Sequence, residues 1–471
     1  MRPRTRPLTF ADFELQSQGV ALDATLHAVA DFLDRHEDLV ALVHQDLVRG
    51  LKRPRTGRNG LSALQVLRAF VLQRIKAWDL RELRDRITDG YTLRQFTTFD
   101  AHPVPKHDAF HRAFCRLTPV TVRALNHAVV QAAVALGLED GGRLRVDTTV
   151  VETDVHWPTD SALLWDAVRV LTRLVKRLGE PVPSALTGFA DHTRRARRRM
   201  QEIHRLSTVE RPRQQTRKYR DLLGVTAGVV ATARAAVATA RTAPLRDPLA
   251  AAVVTALSAE IEHFCGLAER VITQTRRRIL DGEPVPVHEK IFSIFEPHTD
   301  LIKRGKVQRP VEFGHKVFLA ESGRGLITDY RVLDGNPLDE GHVAPSLVQH
   351  DATFGHAPAL YAGDRGFYAP ANVEAVIAAG VATECVPQRG GRKTPERAAY
   401  EKSRTFKRGQ RFRAGIEGRI SVLLRGRGMR RCPLEGRERF EVFVGVAVLA
   451  NNLLRIADLL RQRAARRRRA A

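Results

Sequence analysis

Apolar residues recur at three- and four-residue steps through LSALQVLRAFVLQRIKAW (61–78), the spacing of a helix with one buried face, and Ser62 stands where an N-terminal cap sits. A second amphipathic piece, DLRELRDRI (79–87), follows at once. Thr118 precedes Pro119, the preferred cap and first-turn pair, before a third helical pattern that runs to Gly137. After Gly141-Gly142 the pattern becomes RLRVDTTVV, whose β-branched residues predict a strand. Helical periodicity then returns from about 161 to 280 in Ala- and Arg-rich sequence such as SALLWDAVRVLTRLVKRL and YRDLLGVTAGVVATARAAVATA.

Strand patterns reappear from 285. KIFSIFEP reads as one, and EFGHKVFLAESGRGLITDYRVL reads as two joined by a turn at SGRG. HVAPSLVQHDATF predicts a helix, APALYAGD a short buried strand, PANVEAVIAAGV a helix and ATECVPQ a further strand. A helix is expected at 411–426, VFVGVAVLANNLLRIADLL is a strand or a helix, and RQRAARRRRAA is expected to be a disordered basic tail. This order predicts an α/β fold: a mixed sheet interrupted by an all-helical insertion, behind an N-terminal helical domain. The expected boundaries are 1–140 for the helical domain, 141–160 with 285–460 for the α/β domain, 161–284 for the insertion and 461–471 for the tail.

At 471 residues the chain exceeds one ordinary core, so two or three domains are expected. No unbroken run of about 18 apolar residues points to a membrane span, and the basic amino terminus lacks the apolar stretch of a secretory signal. Four cysteines without a CxxC pair exclude a zinc ribbon and a disulfide framework, which fits a reduced cytoplasmic setting. The net charge of +25, carried mostly by Arg, points to a polyanionic partner, and phosphate backbones are the usual one. Short N-terminal helices with outward arginines suit a DNA groove. The runs RRARRRM and QTRRRI read first as solvated faces.

Three acids stand where carboxylates need a reason. In RVDTTVVETDVHWPTDS (145–161), strand alternation puts Arg145, Asp147, Thr149 and Val151 on one face and Leu144, Val146, Thr148 and Val150 on the other. Asp147 is flanked by buried-type residues, and a buried carboxylate requires a metal or a cation such as Arg145. Glu152 falls on the opposite face. Asp364 ends an apolar strand between glycines in ALYAGDRGFY, at the strand end where open α/β sheets bind ligands. In RFRAGIEGRIS, Arg413 and Glu417 share a helix face at a four-residue step, in the less favourable order for a surface ion pair.

Together VDTTVVETDVHWPTDS, HEKIFSIFEPHTDLIKRGK, EFGHKVFLAESG, the GNP of 335–337, GDRGFY and RFRAGIEGRIS resemble the DDE transposases of bacterial insertion sequences, most of all the ISNCY group, over residues 60–460. The resemblance implies an RNase H-like catalytic domain with an acid on the first strand, one after the fourth and a Glu on a later helix. Matched motif by motif, these are Asp147, Asp364 and Glu417, as catalytic residues and as ligands of two Mg²⁺ ions, for which Mn²⁺ can substitute. Related families carry Y-x2-R-x3-E-x6-K, of which Arg413 and Glu417 match, while Gln410 replaces the Tyr and Leu424 the Lys. Arg365, Arg413 and Arg425 are then the phosphate-contacting residues. The implied activity is cleavage and strand transfer of an insertion sequence, by a cytoplasmic, nucleoid-associated homo-oligomer on terminal inverted repeats and target DNA, without a membrane. A nuclease or resolvase that cleaves without joining is the alternative. Asp154, His156 and Asp160 form a loop before the helical insertion, and His156 and His288 are expected to be hydrogen-bonded structural histidines.

Overall fold

Ser62 caps its helix as the pattern predicts: its Oγ accepts from the Gln65 N–H at 3.2 Å, and Gln65 Oε1 accepts from the Ser62 N–H at 3.1 Å. A computed structural model describes residues 2–17, 21–54, 56, 60–206, 212–303 and 310–470. They divide into two units, one made of the residues up to Glu152 with those from Gly314 onward, the other of Thr153–Phe313. The first unit begins with α1 (Phe10–Ser17), α2 (Ala24–Asp34), α3 (Glu37–Val48), α4 (Ala63–Lys76), α5 (Leu80–Asp89), α6 (Tyr91–Phe96), α7 (His107–Phe114) and α8 (Pro119–Ala135). Asp79 caps α5 and Thr118 caps α8. Strand β1 (Arg143–Thr153) follows.

In the second unit α9 (Asp160–Gly179), α10 (Thr193–Arg205), α11 (Pro212–Thr242) and α12 (Pro248–Thr275) bury one another's apolar stripes through residues such as Leu164, Leu171, Leu222 and Ile261. Strand β2 (Asp300–Lys303) is short. KIFSIFEP, expected to be a strand, forms none: Ile291 and Ile294 are buried in the helical core. The Gln274 amide takes both backbone groups of Ile291, at 2.9 and 3.3 Å, and so fills the ladder positions a strand would need. His156 is held as expected, 2.6 Å from Asp166, and Asp160 opens α9 as the acceptor of Arg278 at 2.6 Å. His288 is instead largely exposed, because its short helical turn lies outside the core. Residues 304–306 of the matched stretch lie outside the described residues.

The rest of the first unit comprises β3 (Val311–Ser322), β4 (Ile327–Val332), α13 (Val343–Phe354), β5 (Leu360–Ala362), α14 (Pro370–Ala378), β6 (Thr383–Cys385), α15 (Pro395–Lys402), α16 (Arg404–Ser421), β7 (Arg431–Cys432) and α17 (Arg437–Ala470). β1 runs antiparallel to β3, which turns at Ser322–Gly325 into antiparallel β4. On its other edge β1 pairs parallel with β5, and β5 with β6. The strand order β4-β3-β1-β5-β6, with β7 added to β1, is a mixed sheet in an α/β unit. Leu144, Val146 and Phe318 pack on one face with Val343 and Val376, and Val151, Val317 and Leu319 pack on the other with Phe440 and Phe443.

Helices α2–α8 do not stand apart as a domain ending at 140. They share one core with α17 through residues such as Val66, Phe70, Val129, Leu453 and Ile456. The tail at 461–470 is helical rather than disordered, because it prolongs α17 from a buried, already nucleated stretch in residues of high helix propensity. Among the described residues three helices are, by length and composition, apolar enough to cross a membrane: Arg213–Thr242, Pro248–Leu280 and Arg437–Ala470. The absence of an unbroken apolar run points away from such helices, but Ala, Val, Leu and Ile around scattered polar residues reach that mean hydropathy without one. In α17, 78% of the most apolar window is buried within the protein.

Candidate active site

Asp147 sits in the middle of β1, opposite Leu319 of β3, and is 9% exposed. Asp364 stands one residue beyond the end of β5, after Gly363, and its carboxylate caps the next turn by accepting from the Gly366 N–H at 2.8 Å. Because β5 lies parallel and adjacent to β1, its carboxyl end reaches the region of Asp147. Glu417 comes from α16, which is fastened to these strands by four residues. Gly409 admits Cys385 of β6, and the Gln410 amide donates to Gly363 O and Cys385 O. Phe412 O accepts from Arg145 Nη1 at 2.6 Å, and Gly415 leaves room for the same guanidinium.

That docking brings Arg413 into the acids. Its Nη2 donates to Asp147 Oδ2 at 2.8 Å and lies 3.5 Å from Asp364 Oδ2, while Nη1 donates to Glu417 Oε1 at 2.8 Å. One guanidinium thus joins all three acids that the sequence singled out. Arg145 does not neutralise Asp147; it pairs with the fully buried Glu321 at 2.7 Å, which also accepts from Arg419 at 2.9 Å. Burial raises the Asp147 pKa to about 6, against the lowering effect of Arg413, and the nearby charges of Asp364 and Asp339 add to the rise.

Asp339 is a fourth carboxylate that the sequence did not reveal. It accepts from Thr148 Oγ1 at 3.0 Å and pairs with Lys316 at 2.8 Å, and a Cβ on Gly366 would lie 2.8 Å from its Oδ2 and 3.0 Å from Asp364 Oδ1. Lys316 also donates to Pro337 O at 2.7 Å, which ties the GNP stretch to the sheet. Strand alternation put Thr148 on the face away from Asp147, so only this tertiary contact could bring Asp339 in.

Glu152 is engaged elsewhere, 3.1 Å from Arg431. Arg365 is exposed on the turn beside Asp364, and Arg425 is exposed beyond the end of α16. Leu424, in place of the family Lys, packs against the apolar cluster under α17. Gln410, in place of the Tyr, serves as a clamp between α16 and the strand ends. Among the described residues no group of three or more His, Cys, Asp and Glu side chains is arranged to hold a metal ion. The donor chemistry nevertheless fits a hard divalent cation: the acids offer only carboxylate oxygens, and all three already meet at one positive charge. No protein-family model, curated protein or solved structure matches the chain.

Proposed function

We propose that the chain is a DDE-type transposase whose first unit is an RNase H-like catalytic domain, cutting DNA at the ends of an insertion sequence and joining those ends to a target. The observation that carries this reading is the meeting of Asp147, Asp364 and Glu417, from three distant stretches, on Arg413. Their places also agree with the resemblance: the first strand, the end of the fourth strand of the unit and a later helix. The helical unit between β1 and β3 is then the insertion.

Asp147, Asp364 and Glu417 would hold Mg²⁺. Held there, two such ions would supply Lewis-acid activation of the attacking water or 3′-hydroxyl and counter-charge for the leaving oxygen. Asp147, with its pKa raised to about 6, gives up its proton close to neutral pH, which leaves the carboxylate that would hold a cation. Arg413, once its acids have another counter-charge, is free to grip the scissile phosphate, and Arg365 beside Asp364 meets a flanking one. The net charge of +25 draws the duplex in. Pairing two ends requires at least two copies of the chain on DNA, and the reaction belongs at the nucleoid.

The test is a strand-transfer assay with labelled terminal repeats, a target plasmid and Mg²⁺. Asp147→Ala, Asp364→Ala and Glu417→Ala are each expected to abolish cleavage and joining. Near-normal activity in any one removes that residue from the triad. Wild-type cleavage whose ends never join the plasmid selects the nuclease or resolvase reading instead.

A further inference from the structure

We propose that a second site, in the first unit between α4, α7 and the start of α17, binds a nucleotide: a phosphate carried on a flat aromatic ring. A cavity of about 750 Å³ lies there, within the range of small-molecule sites. Its walls are rich in rings: Phe114 stacks on Phe70 with centroids 4.0 Å apart, and Trp78 and Phe443 also line the space. Its other component is positive charge, from Arg74 within and Arg439 at the exposed rim.

Arg74 is the decisive residue. It is 7% exposed, it forms no hydrogen bond or ion pair among the described residues, and its Nε is buried without a partner. The guanidinium lies over the Phe443 ring at 3.8 Å, a contact that offsets part of the cost of burying a charge but supplies no acceptor. Burial lowers its pKa to about 10, so it is still a cation at neutral pH. Unpaired buried charges are strongly disfavoured, and a bound anion removes the penalty. The acid nearest in sequence on the cavity wall, Asp79, is taken up as the cap of α5, accepting from Arg81 N and Glu82 N at 2.8 Å each.

The turn that presents Trp78 points the same way. Ala77 ends α4 in the left-handed region at φ 54°, a conformation that costs a non-glycine residue energy. It directs Trp78 to the cavity wall, where a planar base can stack. A phosphate on Arg74 and a ring against Trp78 are the two halves of one nucleotide. The site stands on residues remote in sequence from the acid cluster, and its test is independent of the transposase reading.

The experiment titrates the full chain with thymidine 5′-monophosphate, inorganic phosphate and a short single-stranded oligothymidine, following tryptophan fluorescence. Trp78→Phe identifies the part of the signal that comes from Trp78. Saturable quenching by the nucleotide is expected, with inorganic phosphate at least tenfold weaker. In Arg74→Met the quenching is expected to vanish while the melting temperature stays level or rises, because the unpaired charge is gone. Arg439→Ala at the rim, which leaves the core untouched, is expected to weaken binding severalfold and decides the matter if Arg74→Met does not fold. Competition by the oligonucleotide identifies a nucleotide of a DNA strand as the ligand, and its failure to compete identifies the free nucleotide. Absence of saturable nucleotide binding, equal affinity for inorganic phosphate, or unchanged binding in the Arg74 and Arg439 variants overturns the proposal.

Discussion

Arg413 Nη2 lies 2.8 Å from Asp147 Oδ2, although 266 residues separate the two in the chain. This ion pair orients the candidate site, because the same side chain also reaches Asp364 and Glu417. It also makes the charge state of Asp147 a measurable property of the fold.

In the folded protein the Asp147 pKa is about 6, above its value in an unfolded chain near 3.9. The folded state therefore holds its proton more tightly, and the stability this contributes at low pH is lost as the pH rises through about 6. At pH 7.5 the ionised Asp147 is a net cost, and Asp147→Asn is expected to stabilise the protein by roughly 1–2 kcal/mol while abolishing activity. Urea denaturation of both proteins from pH 4 to pH 8 should show the gap closing towards pH 4. A gap that is constant across this range would exclude the raised pKa.

Asp339 helps to push that pKa upward. Asp339→Asn keeps an acceptor for Thr148 but removes the negative charge, so the Asp147 midpoint is expected to move below 6. Carbon-detected NMR of the Asp147 carboxyl reads the shift directly. An unmoved midpoint would leave Asp339 with a purely structural role on Lys316.

Gly409 is the point of closest approach between α16 and β6. Gly409→Ala drives a methyl into Cys385, at an expected cost of about 1–3 kcal/mol, and should lower activity by displacing Arg413 and Glu417. Gly418, on the same helix, faces open space, and Gly418→Ala is expected to leave stability unchanged or slightly raised. Equal thermal shifts in the two variants would contradict the packing seen here.

Glu321 is fully buried between Arg145 and Arg419, which link the sheet to α16. Glu321→Gln leaves both guanidinium groups without their counter-charge and is expected to cost about 3–5 kcal/mol in chemical denaturation. A loss under 1 kcal/mol would mean that water reaches the pair.

The sequence carried much of this local structure. Ser62 and Thr118 announced their helices, and the SGRG turn and the strand leading to Asp364 were visible because turn chemistry and apolar runs are short-range signals. Arg413 and Glu417 were legible as a pair, at a four-residue step on one helix. The joining of that pair to Asp147 and Asp364 was not, because it depends on how α16 docks through Gly409, Gln410 and Phe412. KIFSIFEP misled for a related reason: its apolar residues anchor a helical core by a side-chain amide, which periodicity cannot distinguish from a strand edge. The helicity of the basic tail was hidden because charge density argues for disorder, while continuity with a buried helix argues against it.

The first unit is written in two separated pieces, and β1 finds its partners in β3, β5 and β7, all beyond residue 310. During synthesis from the amino end, its first strand waits unpaired while more than 150 residues of the other unit emerge. A chain cut short before α16 would carry Asp147 and Asp364 without the guanidinium that joins them. The order of the pieces thus delays assembly of the acid cluster until α16 has been made.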